Sequence, residues 1–502
     1  MNYLTIHNNE PIALNSLPVL PYNEFYTTVL ALLKNKNCHC VNYYIYQKES
    51  VNKFICIIAD DENKDLKVTS FELAEKIETP IDSLSAHHFG MHVFERELAE
   101  NYGVHYIDHP WLKPVRFPHD RNDMSSDISN YPFYSIKSHE LHEVGVGPIH
   151  AGIIEPGHFR FICNGERVLH LEIHLGFQHR AVEKLMVSKR SVLEKTILAE
   201  SIAGDTVVGH TGAFANLMES LSGNYVSENT EIERLIAFEL ERIAMHTADL
   251  SALCTDVAFQ LGAAVLQGLR TTIINSFLIW CGNRFARKLI RCGHNPYPLD
   301  RELIKKLIEN LHAFEFRYLE VIEKIFDSPS VLARFERTGI VTGEQSRLIQ
   351  TVGMAARTTG IARDIRASHP YGHYLKMEHT PLVMEGGDVY SRAMLRNNEV
   401  KQSLQYILNL LERFESGKEE TKNSKILSLK ADSLLVSLTE GWRGEICHSA
   451  ITDSEGNIEH YKIKDPSLHN WMALALAVRN NDISDFPVCN KSFNLSYCGY
   501  DL

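Results

Sequence analysis

The sequence lacks the paired cysteine motifs that hold many metal centres. None of its ten cysteines belongs to a C-x-x-C spacing. The one tight pair, Cys38 and Cys40, has no second ligand pair nearby, so plain strand residues are favoured over a metal site. The first residues show no basic segment followed by an apolar run, so we expect no secretory signal. The cysteines are therefore expected to be reduced and buried.

Long apolar runs and a basic charge balance are missing too. The longest apolar stretch, residues 263–280, is interrupted by Arg270 and two threonines and is too polar for a membrane span. With 63 acidic and 51 basic residues, the net charge of −12 argues against nucleic acid as a partner. No glycine-rich dinucleotide fingerprint follows a predicted strand, so NAD(H) would have to bind another protein. Membrane association is expected only through partners.

Residues 1–120 have the pattern of a small α+β domain. A helix is predicted over residues 22–33, and β-rich runs at 41–46 and 54–59 predict a hairpin. A short charged helix over 94–102 should end at Gly103. The next segment is rich in Asp, Asn, Ser and Pro, so we interpret residues 121–143 as a linker.

Residues 144–502 predict a mainly helical bundle with small β layers, so the fold class is α+β. A hairpin is expected around the turn dipeptide Asn164-Gly165. Apolar residues repeat at helical spacing within 232–243, 304–314 and 400–414. Residues 416–425 are highly charged and predict a surface loop, and strand-like runs return over 426–461.

Motifs near the N-terminus resemble the C-type subunit of the proton-pumping NADH:quinone oxidoreductase, complex I. These motifs are Glu95-Arg96-Glu97-Leu98, Tyr102-Gly103-Val104, His109-Pro110 and Arg116. By this resemblance, residues 1–120 are a domain similar to the C-type subunit.

The rest resembles the D-type subunit of complex I and the related large subunit of group 4 membrane-bound nickel–iron hydrogenases. The motifs run in family order: Gly147-Pro148-Ile149-His150, Glu155-Pro156-Gly157-His158-Phe159-Arg160, the segment from His174 to Leu185, the segment from Arg363 to Tyr371, the segment from Gly387 to Glu399, and Gly441-Trp442-Arg443-Gly444-Glu445. A fusion of C-like and D-like parts resembles the large subunit of formate-hydrogenlyase-type complexes.

This resemblance implies partners and a location. The partners would be a small subunit that carries a four-iron cluster, similar to the B-type subunit of complex I, together with antiporter-like and other membrane subunits. The chain would lie on the cytoplasmic side of the inner membrane, held there peripherally by those partners.

The chain departs from the hydrogenase pattern where that family binds nickel and iron. The family supplies four thiolates from two C-x-x-C pairs, because soft sulfur ligands hold this metal centre. Ala203 and Thr206 stand at the first pair, and Ser496 and Gly499 stand at the second. A nickel–iron centre is therefore not expected, and no cofactor is assigned to the chain itself, although a quinone can be its substrate.

A candidate acceptor pocket consists of His150, Asp205 and His210. In the D-type subunit, a histidine on the G-P-x-H loop, His150 here, and a tyrosine donate hydrogen bonds to the quinone head group. The tyrosine position is Gly204 in this chain, with Asp205 and His210 close by in sequence. Each has a structural alternative: His150 fixes its loop, Asp205 caps a helix over 206–216, and His210 packs or caps that helix.

Two further groups are implied to face the partner's cluster. His174, His179 and Arg180 lie on a segment that faces the cluster-bearing subunit in the relatives, which indicates an interface. Arg363, Asp364 and Arg366 are expected to form a buried salt-bridge network, either purely structural or tuning the potential of the cluster.

Three hypotheses follow from these residues. The first is a redox subunit that passes electrons from a partner iron–sulfur cluster to quinone or to an unknown acceptor. The second is an inactive scaffold that couples the cluster subunit to antiporter-like membrane subunits. The third, an active nickel–iron hydrogenase, is the least favoured because the thiolates are missing.

We predict that the purified protein holds no stoichiometric nickel, because none of the four replaced positions carries a thiol. Elemental analysis should find nickel far below one atom per chain. About one nickel atom per chain, together with hydrogen uptake, would overturn the assignment of those positions.

Overall fold

The computed structural model describes residues 2–152, 154–414 and 428–502. The predicted charged loop, residues 416–425, lies outside this described part. The strands are β1 (Leu4–Ile6), β2 (Ile12–Ala13), β3 (Cys38–Lys48), β4 (Val51–Asp60), β5 (Asp65–Ala74), β6 (Ile81–Asp82), β7 (Tyr106–Ile107), β8 (His142–Val146), β9 (His158–Asn164), β10 (Arg167–His174), β11 (Ser433–Glu440), β12 (Glu445–Thr452) and β13 (Ile458–Lys464). The helices are α1 (Tyr22–Leu33), α2 (His92–Tyr102), α3 (Val182–Ser188), α4 (Val192–Ala199), α5 (Val207–Ser222), α6 (Glu228–Asp256), α7 (Gln260–Cys281), α8 (Arg301–Phe326), α9 (Pro329–Phe335), α10 (Gly343–Leu348), α11 (Gly353–Arg357), α12 (Ile365–Ser368), α13 (Val389–Arg413), α14 (Ser467–Val478), α15 (Phe486–Phe493) and α16 (Tyr497–Tyr500).

The N-terminal region is built on an antiparallel sheet in the order β1-β5-β4-β3. The predicted hairpin is confirmed as β3 and β4, and α1 covers the sheet. Phe25 of α1 lies 4.5 Å from Phe71, whose ring stacks on Phe54 at 4.2 Å. The helix after this sheet, α2, ends at Gly103, whose φ of +68° suits a residue without a side chain.

The second region holds two further sheets and the long helices. The predicted turn at Asn164-Gly165 joins β9 to β10, in a sheet ordered β10-β9-β8. The three predicted helical periodicities form parts of α6, α8 and α13. The apolar stretch at 263–280 lies within α7. Within the described residues, no helix has both the length and the apolar character needed to cross a bilayer.

The two regions pack against each other. Buried apolar residues from both regions form a single hydrophobic cluster. Strand β2 pairs with β11, which extends the sheet ordered β13-β12-β11-β2. On β3, Tyr44 bonds to Ser449 of β12 at 2.8 Å. These contacts form because β3 is buried on both of its faces, so other elements must pack against each face. The domain boundary at 121–143 stays a prediction.

A buried ion group joins the two regions. The carboxylate of Glu445 on β12 accepts hydrogen bonds from Lys464 of β13 and from Nε2 of His39 on β3, the latter at 2.7 Å. All three side chains are at most 1% exposed. Neither His39 nor Lys464 can turn to water if the carboxylate is removed.

Replacing Glu445 should therefore destabilise the protein strongly. We expect Glu445→Ala to lower the free energy of unfolding by about 3–5 kcal/mol, because it leaves a buried lysine without a counter-ion. Chemical denaturation of the purified chain measures this. The control is Glu302→Ala, which removes an exposed ion pair to Lys306 and should change little. Equal effects of the two substitutions would contradict this account.

Candidate functional site

The turn before α5 is held by an ion pair with a residue distant in sequence. Asp205 accepts two hydrogen bonds from the guanidinium of Arg443, at 2.8 and 2.6 Å. Arg443 also donates to the carbonyl of Asn494 at 2.5 Å. One arginine therefore connects the 203–206 turn with the C-terminal segment that leads to Ser496.

The ion pair faces an accessible space. The Asp205 side chain is 36% exposed, whereas that of Arg443 is 4% exposed. A side chain at Gly204 would meet no atom within 4 Å. Burial would raise the pKa of Asp205, but the Arg443 guanidinium outweighs it and holds this pKa below its usual value. Asp205 is therefore an ionised carboxylate beside an open position.

The structural alternative for Asp205, a helix cap, is wrong. The N-cap of α5 is Thr206, and it makes no side-chain cap bond. The backbone N–H groups of Val208 and Gly209 donate instead to the carboxylate of Glu241, at 2.7 and 3.1 Å. Burial raises the pKa of Glu241 to about 8 against the effect of these bonds. A residue of α6 thus fills the role that local sequence assigned to Asp205.

His210 lies in a buried chain of polar groups. Its Nε2 donates to the carboxylate of Asp465 at 3.1 Å, and its Nδ1 lies 3.1 Å from Nε2 of His448. Nδ1 of His448 in turn is 2.7 Å from the hydroxyl of Tyr461. Burial and the neighbouring His210 lower the pKa of His448 well below its usual value. The structural alternative for His210, a packed residue of α5, agrees with its burial. The same residue is also linked by hydrogen bonds to Asp465, to His448 and, through His448, to Tyr461.

The C-terminal positions meet this chain directly. Ser496 caps α16 by accepting a hydrogen bond from the N–H of Gly499 at 2.9 Å. A Cβ at Gly499 would lie 2.6 Å from Cγ of Asp465, so no larger side chain fits there. Ala203 and Thr206 are fully buried on the other side of the Arg443 bridge. The fold thus brings the two predicted segments together.

His150 is held by its own loop. Its Nε2 donates to the carbonyl of Gly157 at 2.8 Å, and its ring packs near Phe159. Gly157 in turn lies against the ring of Tyr497 on α16. The loop of His150 is therefore next to the C-terminal segment. Its approach to residues 203–210 stays a prediction.

Of the predicted interface residues, Arg180 contacts the site. Its guanidinium donates to the carbonyls of Ser201 and Ile202, both at 2.8 Å, immediately before Ala203. His174 is only 3% exposed and stacks on Tyr131 at 4.3 Å. Such burial lowers the pKa of His174 to about 3, so its ring is neutral and faces this chain.

The loop between His174 and Arg180 is anchored by Asp501. The carboxylate accepts hydrogen bonds from the N–H groups of Gly176 and Gln178, both at 2.8 Å. Burial raises the pKa of Asp501 to about 7 despite these bonds. His179 lies on the same loop, where burial and then Arg116 lower its pKa to about 4.

The expected salt-bridge network exists, with one member elsewhere. Asp364 binds Arg366 at 2.8 Å and accepts from His379 at 3.1 Å. Arg366 continues to Glu239 of α6 at 3.0 Å. Arg363 instead binds Asp61 of the N-terminal region at 3.1 Å. The network is thus confirmed for Asp364 and Arg366, and Arg363 joins the two regions.

Sequence reasoning missed the partners that define the site. Arg443 was visible only as part of a family-like turn, and Asp465 and Glu241 carried no signal. Their roles come from long-range packing, since Arg443 and Asp205 are 238 positions apart. Only an aligned family or the fold itself brings them together.

Comparison with known proteins finds sequence similarity to respiratory and hydrogenase subunits. Residues 256–438 match the family described as respiratory-chain NADH dehydrogenase, 49 Kd subunit. Hydrogenase-4 component G of Escherichia coli is 25% identical over 80% of this chain and 72% of its own length. The carbon monoxide-induced hydrogenase of Rhodospirillum rubrum is 28% identical over 70% of this chain and 96% of its own. The D-type subunit of NADH-quinone oxidoreductase from Dehalococcoides mccartyi is likewise 28% identical, over 70% of this chain and 96% of its own.

These relatives support the predicted resemblance to the D-type subunit and to the membrane hydrogenases. The resemblance of residues 1–120 to the C-type subunit stays a prediction, and so does the assignment of the four replaced ligand positions.

The carboxyl of Asp501 should make stability depend on pH. The unfolded chain loses this proton near pH 4, whereas the folded chain keeps it to about pH 7. The contribution to stability is complete below about pH 4 and is lost as the pH rises to about 7. We predict that Asp501→Asn removes roughly 4 kcal/mol of this decline. Denaturation curves between these pH values measure it.

The control for that experiment is Asp327→Asn, since Asp327 is exposed at the end of α8. It should leave the pH dependence unchanged. An Asp501→Asn variant with the wild-type pH dependence would show that the carboxyl titrates normally.

Proposed function

We propose that this chain is a redox subunit of a membrane-associated complex related to complex I and to energy-converting hydrogenases. It takes electrons from an iron–sulfur cluster in a small partner subunit and delivers them to a quinone or a similar acceptor. Similarity to the D-type subunit and to membrane-bound hydrogenase subunits supports the general role. By the same resemblance, antiporter-like membrane subunits hold the complex at the cytoplasmic face of the inner membrane.

The Asp205–Arg443 pair beside Gly204, of which the Asp205 carboxylate is partly exposed, carries this proposal. Reduction of a quinone to a quinol takes two electrons and two protons, and negative charge develops on the quinone oxygens. The Arg443 guanidinium is a fixed positive donor next to the open position, where it stabilises such charge. Asp205 stays ionised and orients the guanidinium through its two hydrogen bonds.

The buried chain of polar groups next to the pair offers a path along which protons can be relayed. Asp465 contacts His210, and both lie behind the segment that carries Asp205. His448 and Tyr461 extend this chain by two further proton-carrying groups. In this proposal, these polar groups take over the role of the tyrosine that hydrogen-bonds the quinone head group in the D-type subunit.

Nickel–iron chemistry does not fit the residues present. The Thr206 hydroxyl already donates to Asp205 and accepts from Arg443, and the Ser496 hydroxyl caps α16. Gly499 has no side chain and no room for one. In the described ranges, no three His, Cys, Asp or Glu residues have the arrangement of a metal site. An active nickel–iron hydrogenase is therefore the least supported function.

The scaffold function remains the second candidate, and one observation favours it. Each donor of the Arg443 side chain that faces the site already has a partner inside the chain. Arg180 likewise uses its guanidinium to brace residues 201 and 202. A contact with a purely structural role also needs its charged groups to be paired within the chain, as they are here.

Substitution at His150 separates these two functions. In the intact complex, we predict that His150→Ala lowers quinone reduction by about 100- to 1000-fold, because by the resemblance to the D-type subunit this ring donates a hydrogen bond to the quinone head group. Assembly with the small subunit should persist. Adding Asp205→Asn should lower the rate further while the side-chain volume is preserved. Quinone-reductase assays and gel filtration of the complex provide the measurements.

His312→Ala is the matched control, because His312 is 57% exposed on α8 and remote in the fold from the 203–206 turn. It should leave the rate unchanged. Full activity in the His150→Ala, Asp205→Asn double variant would end the redox proposal. If the double variant is fully active while Arg180→Ala loosens the complex, the scaffold function is supported.

A further inference from the structure

A basic cavity lies beside the start of α4. It has a volume of about 960 Å³ and is formed by residues 187–193, 195 and 196, residues of the segment after α7, and the turn between β12 and β13. Its basic lining residues are Lys189, Arg190, Lys195, Arg291 and His294. Its apolar wall is formed by Val187, Val192, Leu193, Met218, Leu429 and Ile458. The basic cavity is separate from the residues used in the proposed redox site.

The described lining of the basic cavity carries basic residues without acidic ones. None of its described lining residues is Asp or Glu, although the whole chain carries a net charge of −12. The guanidinium of Arg291 forms an ion pair with the carboxylate of Glu200, which does not line the cavity, at 2.6 Å. Neither Lys189 nor Arg190 forms an ion pair in the described part of the chain, although the Glu194 carboxylate is close enough to Lys189 to feel its charge. The cavity therefore attracts an anion.

Lys195 is a buried basic residue in the lining of the cavity. It is 6% exposed, and its ammonium donates only to the carbonyls of Met186 and Val187. Among the described residues, no carboxylate forms an ion pair with it. A buried cation without a counter-ion is costly, and a bound anion would relieve that cost.

The surroundings of the cavity combine apolar and basic side chains. Leu193 is 54% exposed and Ile197 is 49% exposed on α4. The loop after α7 presents exposed Arg284, Phe285, Arg287 and Lys288. The N–H of Lys288 donates to Glu200 at the end of α4, which places this loop beside the helix. Exposed apolar residues among basic ones are typical of surfaces that meet anionic lipid.

We propose that the basic cavity binds the headgroup phosphate of an anionic phospholipid, with an acyl chain along its apolar wall. The basic residues match the phosphate, and the aliphatic wall matches the chain. No Phe, Tyr or Trp lines the described cavity, and the ring of His294 stands among aliphatic side chains, so the wall suits an acyl chain better than a nucleotide base. This proposal stands apart from electron transfer, and either can fail alone.

Vesicle co-sedimentation of the purified full chain tests the proposal. Vesicles of equal parts phosphatidylglycerol and phosphatidylcholine should bind the chain, whereas pure phosphatidylcholine should not. The Lys189→Gln, Arg190→Gln double variant should bind about 25-fold more weakly, since each basic residue near an anionic surface contributes a factor of about five. Lys195→Met should weaken binding as well, and the double variant serves if that buried substitution prevents folding.

Two matched controls separate the cavity from general charge. Lys34→Gln with Lys36→Gln removes two exposed charges from the end of α1 and should bind as the wild type does. Leu193→Ser should weaken binding because the acyl chain loses part of its wall, whereas Leu261→Ser, at a residue 56% exposed on α7, should not.

Three outcomes would overturn the proposal. The first is wild-type binding by the Lys189→Gln, Arg190→Gln variant. The second is a silent Leu193→Ser, which would mean surface charge attraction alone. The third is thermal stabilisation by inorganic phosphate without any vesicle binding, which would identify a site for free phosphate.

Discussion

Buried ion pairs fix the positions of the helices relative to one another, and the rest of the structure depends on them. Arg357 at the end of α11 binds Glu399 of α13 at 2.5 Å and Glu440 of β11 at 2.7 Å. Arg366 ties α12 to α6 through Glu239. None of these side chains reaches water, so each charge requires its neighbours. Glu440 ends β11, and the turn that follows carries Arg443. The network therefore fixes the position from which Arg443 bridges the candidate site.

Local patterns predicted the elements well, because a helix or a hairpin is encoded within a few turns of chain. The periodicity at 304–314 lies within α8, and the Asn164-Gly165 turn joins its two strands. Capping could not be predicted in the same way. Asp205 has the residue type and position of an N-cap, yet Glu241 from another helix satisfies those N–H groups. A guanidinium from a third element outcompetes the backbone for Asp205, because two charge-assisted bonds are stronger than one cap.

The same limit applies to the arginines of the 363–366 segment. Their sequence predicts one salt-bridge network, and Arg366 follows it. Arg363 leaves it because its side chain points to the N-terminal region, where Asp61 also lies within 3.5 Å of His39. Burial opposes ionisation of Asp61, but His39, His369 and Arg363 together hold its pKa well below the usual range. Sequence spacing indicates which residues are charged, whereas packing decides which of them meet.

The pairing of β2 with β11 has a consequence for how the chain matures. Residues 8 to 13 run along β11: Asn8 bonds to both the N–H and the carbonyl of Leu438, and Ile12 pairs with Leu434. This edge of the sheet is thereby closed to strands from other molecules. The closing segment is made before its partner, and more than 400 residues lie between them. Until β11 has been made, β2 lacks this partner, so a contact of such long sequence separation forms late in folding.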